Sequence, residues 1–547
     1  MMLAVYMMAS TIAPLASSLK TPIPASNEGV DVKDLINKDH LNAFAEDIAN
    51  ISENYPAYRV AGSMGSNMTA NYILDQFLQA GLDAWKEEFI FTNWDLKNAP
   101  SLTVDIDGDW TTDPDKVAVG SFSCDSYSWP SDQSRPVAEL VYLPMPPAVS
   151  YEELLAFRDI PYKFWDSYNI TGRVAIIPQE ARWNVNVESV LMEKLKEGRP
   201  LAVISAYWYS WNSFASAMSM ASTGGRPLSP NGDYFWDLKV PTGTVNYSDG
   251  VFLREIVDQG GGLADMRVDS IIYQGAQENI VAKIEGTKDR VGQVLITAHY
   301  DSVMCTGYID NAAGVAALIE MAHIMKRAYD ENIWRPDITL MFIAFSGEEL
   351  GYVGSTRYAT SHELGNIKSV INLDSIGGKV MRLSGAYPDA RMGIDKKFIE
   401  VAEEEGVTLL DGGSIKSDHM SFAVPGYTVG LIWDNWRRSF SLTTSKSVPN
   451  SYTVFSSPLT IYENEDGQIG LIHTIFDTPD PKDHDYWHST ERLYSQVRVI
   501  TGVTVWLASG GYNNNITDPT WQPYVFALTM LTATVLVAYV FRKKIKN

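Results

Sequence analysis

Cysteine is nearly missing from this chain: Cys124 and Cys305 are the two among 547 residues. Two thiols exclude a disulfide scaffold and a cysteine-rich zinc site. They leave open one disulfide or two free thiols, and a bridge at Cys305 would brace the loop between His299 and Asp310. Basic charge is also short, with 43 Lys and Arg against 66 Asp and Glu and a formal charge of −23. That excludes a nucleic-acid binder, which needs a basic face, and reads as a soluble acidic surface. Long apolar runs are confined to the two ends. Met1 to about Ala16 reads as the apolar part of a secretory leader within residues 1–25, with small residues at Ala16-Ser17 but no basic residues before it. Residues 524–541 carry no charge over eighteen positions. As a helix at about 1.5 Å per residue they would span ~27 Å, close to a thin bilayer core. Arg542, Lys543, Lys544 and Lys546 follow at once, which marks a cytoplasmic side, and 513–523 reads as a linker. The expected arrangement is a single-pass protein of the cell membrane with its globular part outside. Asn-X-Ser/Thr triplets at Asn50, Asn67, Asn169, Asn246 and Asn515 fit that location.

What the chain does have is 45% apolar residues, enough to bury more than one core. It is organised around Val294 to Gly378, where three short apolar runs each end in acids or a histidine. Val294–Ala298 stops at His299-Tyr300-Asp301, Ile338–Phe345 at Ser346-Gly347-Glu348-Glu349, and Val370–Leu373 at Asp374. Such runs, alternating with helical patterns, predict buried parallel strands with crossover helices. Sheets of this kind gather their ligands at the carboxyl ends of the strands. His299, Asp310, Glu349 and Asp374 therefore converge on one edge, and all four are metal-ligand types. Carboxylates this close repel one another unless one or two divalent cations sit among them. Asp301, two residues past His299, is placed to orient the imidazole. Glu348 is free to take a proton from a metal-bound water.

The expected fold is α/β: a mostly parallel mixed sheet between helices, a small β-rich insertion, and a C-terminal membrane helix. Residues 38–135 form the first part of the main domain, with a helix over Met68–Ala80. Residues 136–269 form the insertion, with strands Val174–Pro178 and Leu201–Ser205 and helices over Val187–Glu197 and near Asp249–Gln259. It lacks metal-type residues. Its aromatics, Tyr207, Trp208, Tyr209, Trp211 and Trp236, read as packing, and the insertion is expected to lie over the site. Residues 270–512 complete the main domain, which ends in a helix over Gln496–Ala508. Residues 542–547 are a basic tail.

These motifs resemble the co-catalytic di-zinc aminopeptidase family, which includes secreted bacterial leucine aminopeptidases and a transferrin-receptor-like branch. The carrying residues are His299-Tyr-Asp301, Asp310-Asn311-Ala-Ala-Gly314, Gly347-Glu348-Glu349-Leu-Gly351 and Asn372-Leu-Asp374. The stretch from Arg59 to Leu82 looks like the family's first helices, and the insertion looks like its protease-associated domain. The resemblance implies two zinc ions bridged by Asp310. His299 and Asp374 would complete one, and Glu349 with a late histidine the other. Glu348 would be the general base. The resemblance also implies a cis bond between Asp310 and Asn311. For the late histidine, His473-Thr-Ile-Phe-Asp477-Thr478 fits the family form fully and the segment around His488 in part, so His473 is expected. Ser417-Asp418-His419 resembles a family turn beside the pocket. His40, His323, His362 and His484 read as surface or core residues.

The function implied is removal of N-terminal residues from peptides by a metal-bound hydroxide. Carboxypeptidase or glutaminyl cyclase chemistry on the same fold is the alternative, and a non-catalytic receptor-like relative is a third reading. A carboxypeptidase would need a cationic pocket, for which Arg382, Arg437 and Arg438 are candidates. Substrate preference and oligomeric state, a homodimer included, are not legible in the sequence.

Overall fold

A computed structural model describes residues 30–511 apart from 111–114, 133–136, 146–163, 184, 209–237, 289–291, 386–392, 413–416, 424–447, 449, 458–471, 475–476 and 480–487. The expected leader and the expected membrane span at 524–541 lie outside the described residues. Among the described residues no helix is long and apolar enough to cross a membrane.

The main sheet has eight strands in the order Asp83–Leu96, Ser270–Ile284, Thr339–Phe345, Gln293–His299, Ile367–Leu373, Ser451–Ser457, Val380–Gly385, Leu409–Asp411. Its centre is parallel: Gln293–His299 pairs on both sides with parallel neighbours, and Ile367–Leu373 continues parallel into Ser451–Ser457. Antiparallel strands close both flanks. The central strands are covered on both faces, which is why their sequences are unbroken apolar runs and not alternating ones. One face packs on helices Lys38–Glu53, Met64–Gln79, Ala313–Asp330 and Thr490–Ala508. The other packs on Tyr358, Ala359 and Phe422. Helix Ala313–Asp330 is buried over most of its circumference, as its alanine-rich sequence demands.

Caps explain why two helices begin earlier than their apolar periodicity indicates. Ser63 accepts from the Ser66 amide, so the helix expected at Met68 starts at Met64. Ser489 accepts from the Arg492 amide, so the last helix starts at Thr490, ahead of Gln496.

The second sheet also has eight strands, and it begins well before the expected boundary at 136. Its order is Lys116–Ala118, Ser101–Asp105, Leu263–Arg267, Val137–Tyr142, Val174–Pro178, Ala202–Ala206, Thr242–Val245, Ser123–Cys124. The reason is the ribbon that carries the chain there. Asp83–Leu96 leaves the main sheet and Ser270–Ile284 returns, paired antiparallel from Asp83↔Lys283 to Leu96↔Ser270. The described residues between Leu96 and Ser270 therefore belong to the insertion, including short strands such as Ser101–Asp105 and Ser123–Cys124 that lie before residue 136. Within it Tyr207 is buried, and Trp208 packs against Tyr142 and under the Arg254 guanidinium. Tyr209, Trp211 and Trp236 lie outside the described residues. Cys124 and Cys305 are both free and buried in one apolar cluster that joins the insertion (Leu102, Val104, Leu140) to the loops of the main sheet (Ala61, Met304, Leu350).

Candidate functional site

Three parallel strands end side by side, and their ends supply the site. His299 is the last residue of its strand, while Asp374 and the Glu348-Glu349 pair lie just beyond the ends of theirs. Asp310 comes from the loop that leads into helix Ala313–Asp330, across a cis bond to Asn311. The Asn311 side chain fixes this corner. It donates to the Leu373 carbonyl at 2.8 Å and accepts the amides of Gly314 and Ser375, each at 3.1 Å. A β-carbon on Gly314 would come within 2.1 Å of the Asn311 side-chain oxygen, so this position admits glycine alone.

The result is two triads that share one residue. His299, Asp310 and Asp374 form the first, and Asp310, Glu349 and His473 the second. His299 Nε2 lies 3.1 Å from Asp310 Oδ1 and 3.5 Å from Asp374 Oδ1. His473 Nε2 lies 3.1 Å from Asp310 Oδ2 and 3.2 Å from Glu349 Oε1. Asp310 thus turns one oxygen to each side. His299 Nε2, Asp310 Oδ1 and Glu349 Oε1 are buried, yet none is engaged in a directed hydrogen bond. Buried polar atoms without partners are costly. These ones converge, and their donor set of imidazole nitrogen and carboxylate oxygen suits zinc.

Charge around the site follows from that crowding. Burial alone would lower the His299 pKa, but the carboxylates of Asp301, Asp310 and Asp374 more than offset it and hold the imidazole protonated well above its usual range. His473 is raised in the same way, burial being outweighed by Glu349 and Asp310. Burial would raise Asp310, yet the two imidazoles hold it well below the carboxylate range. Burial pushes Glu348 well above the usual value, with Asp374, Glu349 and Asp418 adding to it and His299 opposing.

Asp301 differs in detail from its expected role. His299 Nδ1 lies 3.2 Å from the Asp301 backbone carbonyl and 3.5 Å from its carboxylate. The carboxylate instead accepts the amides of Glu348 and Glu349 at 3.0 and 3.2 Å. A strand-based reading misses this, because Asp301 has already left the strand. His488 takes part in neither triad. It is buried, its ring meets Tyr308 edge to face at 5.0 Å, and it occupies the space where a Gly377 β-carbon would point. His473 holds a left-handed backbone (φ 62°), unusual for a non-glycine residue and common at sites. Ser417 donates to Asp374 Oδ2 at 2.6 Å and accepts from Asn372 at 2.8 Å. Asp418 is fully buried nearby, its carboxyl pushed up to about 7 by desolvation.

Two supporting groups escape a sequence reading. Arg59 is completely buried, and its guanidinium donates to the carbonyls of Tyr300, Thr306 and Gly307. Asp477 accepts the amides of Ile309 and Asp310, at 2.6 and 3.1 Å. Together they clamp the loop that delivers Asp310. The signal for Arg59 was a charged residue ahead of the apolar Val60-Ala61 pair; nothing in its spacing tied it to a loop more than two hundred residues away. Arg59→Met should destabilise the protein by about 3–5 kcal/mol, since three buried carbonyls lose their donor. Thermal unfolding checks it, and a melting temperature unchanged from the parent would remove Arg59 from this account.

Known proteins bear on this geometry in three ways. Peptidase family M28 matches residues 279–497. The aminopeptidase YwaD of Bacillus subtilis (strain 168) is 29% identical over 206 residues, 36% of this chain and 42% of that protein. A glutamate carboxypeptidase 2 homolog of Caenorhabditis elegans is 32% identical over 107 residues, 19% of this chain and 14% of that protein. The chain thus spans less than half the length of either curated relative. Among solved structures, the zinc aminopeptidase BSAP from Bacillus subtilis superposes with a TM-score of 0.56 at 20% identity, over 88% of this chain and 97% of that one, which is a likeness of fold. The two triads, Glu348 and Asp477 all lie inside the segment, residues 279–497, over which this chain is similar to peptidase family M28.

Proposed function

We propose that this chain is a zinc-dependent exopeptidase that removes residues from the N-termini of peptides. The observation that carries the reading is the shared Asp310, which turns one oxygen to His299 and Asp374 and the other to His473 and Glu349. Two triads with one common carboxylate suit two zinc ions. Zinc, when bound, supplies Lewis acidity: it polarises the scissile carbonyl and eases ionisation of water. The chain's own residues do the rest. Glu348 accepts the proton of the attacking water and returns it to the leaving amine. Asp301, through the amides of Glu348 and Glu349, fixes that base against the site. Ser417 and Asn372 steady Asp374.

The aminopeptidase direction is part of this reading. It follows the relatives similar to this chain, among them the aminopeptidase YwaD and the zinc aminopeptidase BSAP. Of the candidates for a carboxylate pocket, Arg382 donates to the Asp411 carbonyl at 3.1 Å, and Arg437 and Arg438 lie outside the described residues. The insertion, of protease-associated type in this reading, packs on the site loops and frames substrate entry. A C-terminal anchor over 524–541 with the peptidase outside the cell completes the proposal.

A peptide-library digest with and without chelator tests direction and metal dependence together. The expected result is chelator-sensitive loss of N-terminal residues. Loss of C-terminal residues, or turnover indifferent to chelator, would overturn it. The pH dependence of metal binding follows from the imidazoles. Both have raised pKa values in the metal-free protein, so their imidazolium–carboxylate contacts persist below about 6.5 and are lost as pH climbs through the raised values. Zinc must displace both protons. Its affinity should therefore weaken on acidification below those raised values, by about tenfold per pH unit for each imidazole. Titration calorimetry in buffers of different ionisation enthalpy should register the released protons, and pH-independent affinity would count against this donor set.

A further inference from the structure

We infer that the tip of the hairpin between Ser101–Asp105 and Lys116–Ala118 is a calcium site, formed by Asp105, Asp107 and Asp109. It belongs to the insertion and takes no part in the chemistry above. Each of the three acids offers a carboxylate oxygen, and these oxygens all lie within 4.8 Å of one another. That spacing lets them reach one cation at calcium–oxygen distances of about 2.3–2.6 Å. Three carboxylates held so close repel one another unless a cation lies between them.

A second observation is independent of the clustering. Asp105 is 2% exposed, and its Oδ1 is buried with no hydrogen-bond partner, while Oδ2 accepts the Trp110 amide. A buried carboxylate oxygen left bare carries a large desolvation cost. The Asp105 carboxylate lies against that of Asp107: the Asp109 amide would lower the Asp107 pKa, but Asp105 more than offsets it and raises it. The basic residue opposite Asp105 on the neighbouring strand does not relieve it. Lys116 pairs with Asp105 in register, but its ammonium lies over the Trp110 ring at 4.9 Å. Among the described residues no ion pair joins Lys116 to any of the three acids.

The donor set decides which cation. It contains oxygen alone, without imidazole or thiolate, which selects hard ions over zinc. Carboxylates at alternate positions of a loop, closed by Gly108 at φ 78°, give the adaptable geometry that calcium accepts and magnesium does not. Backbone carbonyls and water would complete the shell. The hairpin end also abuts the turn at Gly261, whose β-carbon position is 3.2 Å from the Ile106 carbonyl, and Asp105 pairs with Leu263. A cation there ties together three strands of the second sheet.

The test uses the full zinc-loaded chain, freed of calcium by dialysis. Calorimetric titration with calcium chloride should give one ion per chain, with a Kd of about 10⁻⁴–10⁻³ M, the range of extracellular modules. Saturating calcium should raise the melting temperature by roughly 2–4 °C. In the double variant Asp107→Asn/Asp109→Asn, both at exposed positions, the affinity should fall at least tenfold and the thermal shift should vanish. Zinc content and peptidase activity should stay at parental values, and the calcium-free melting temperature should not fall, since the substitutions relieve repulsion. No binding up to 10 mM calcium, equal binding by the double variant, or magnesium binding as tight as calcium would each overturn the assignment.

Discussion

Glu348→Gln should lower kcat by about 10²–10⁴-fold while the protein keeps its fold and its zinc. The substitution preserves shape, and the residue's own amide remains held by the Asp301 carboxylate. What is lost is the ability to accept a proton. Because Glu348 belongs to neither triad, metal content should not change, and KM should move little. That pattern separates loss of a base from loss of a metal. Parental kcat on an aminoacyl anilide, with full zinc, would remove Glu348 from the mechanism.

His473→Ala should reduce bound zinc from two per chain to one and cut activity at least a hundredfold, whereas His488→Ala should keep both ions. His473 Nε2 sits within 3.2 Å of two carboxylate oxygens of its triad; His488 is packed against Tyr308 and Gly377. His488→Ala should instead cost stability, because it empties a packed position. Elemental analysis of both variants, with thermal melts, decides between them. Full zinc retention in His473→Ala would reverse the assignment, and the same outcome would leave Asp310 serving a single triad.

Much of this was legible because parallel strands write their positions plainly. Three buried runs ending in His299, Glu348-Glu349 and Asp374 place those residues at one sheet edge before any coordinates exist. The histidine from 473 was not legible that way. It sits on an irregular segment with a left-handed backbone, and only its resemblance to a family form singled it out. The boundary of the insertion was missed for a different reason. Two- and three-residue strands such as Ser123–Cys124 and Lys116–Ala118 carry too few positions to show a period. The acids of the hairpin tip, read as part of an exposed acidic surface, gained meaning once Asp105 proved to be buried. Asp301 was assigned to the imidazole by its distance along the chain, but the strand ends at His299 and its carboxylate turns to the neighbouring loop.

The clamp on the Asp310 loop has a consequence for biosynthesis. One jaw, Arg59, lies near the start of the described chain; the other, Asp477, lies near its end. A nascent polypeptide halted between Asp374 and His473 has His299, Asp310, Glu349 and Asp374 in hand, yet lacks both the second jaw and His473. Such a fragment cannot assemble both triads, and on the proposed function it is inert until His473 and Asp477 emerge.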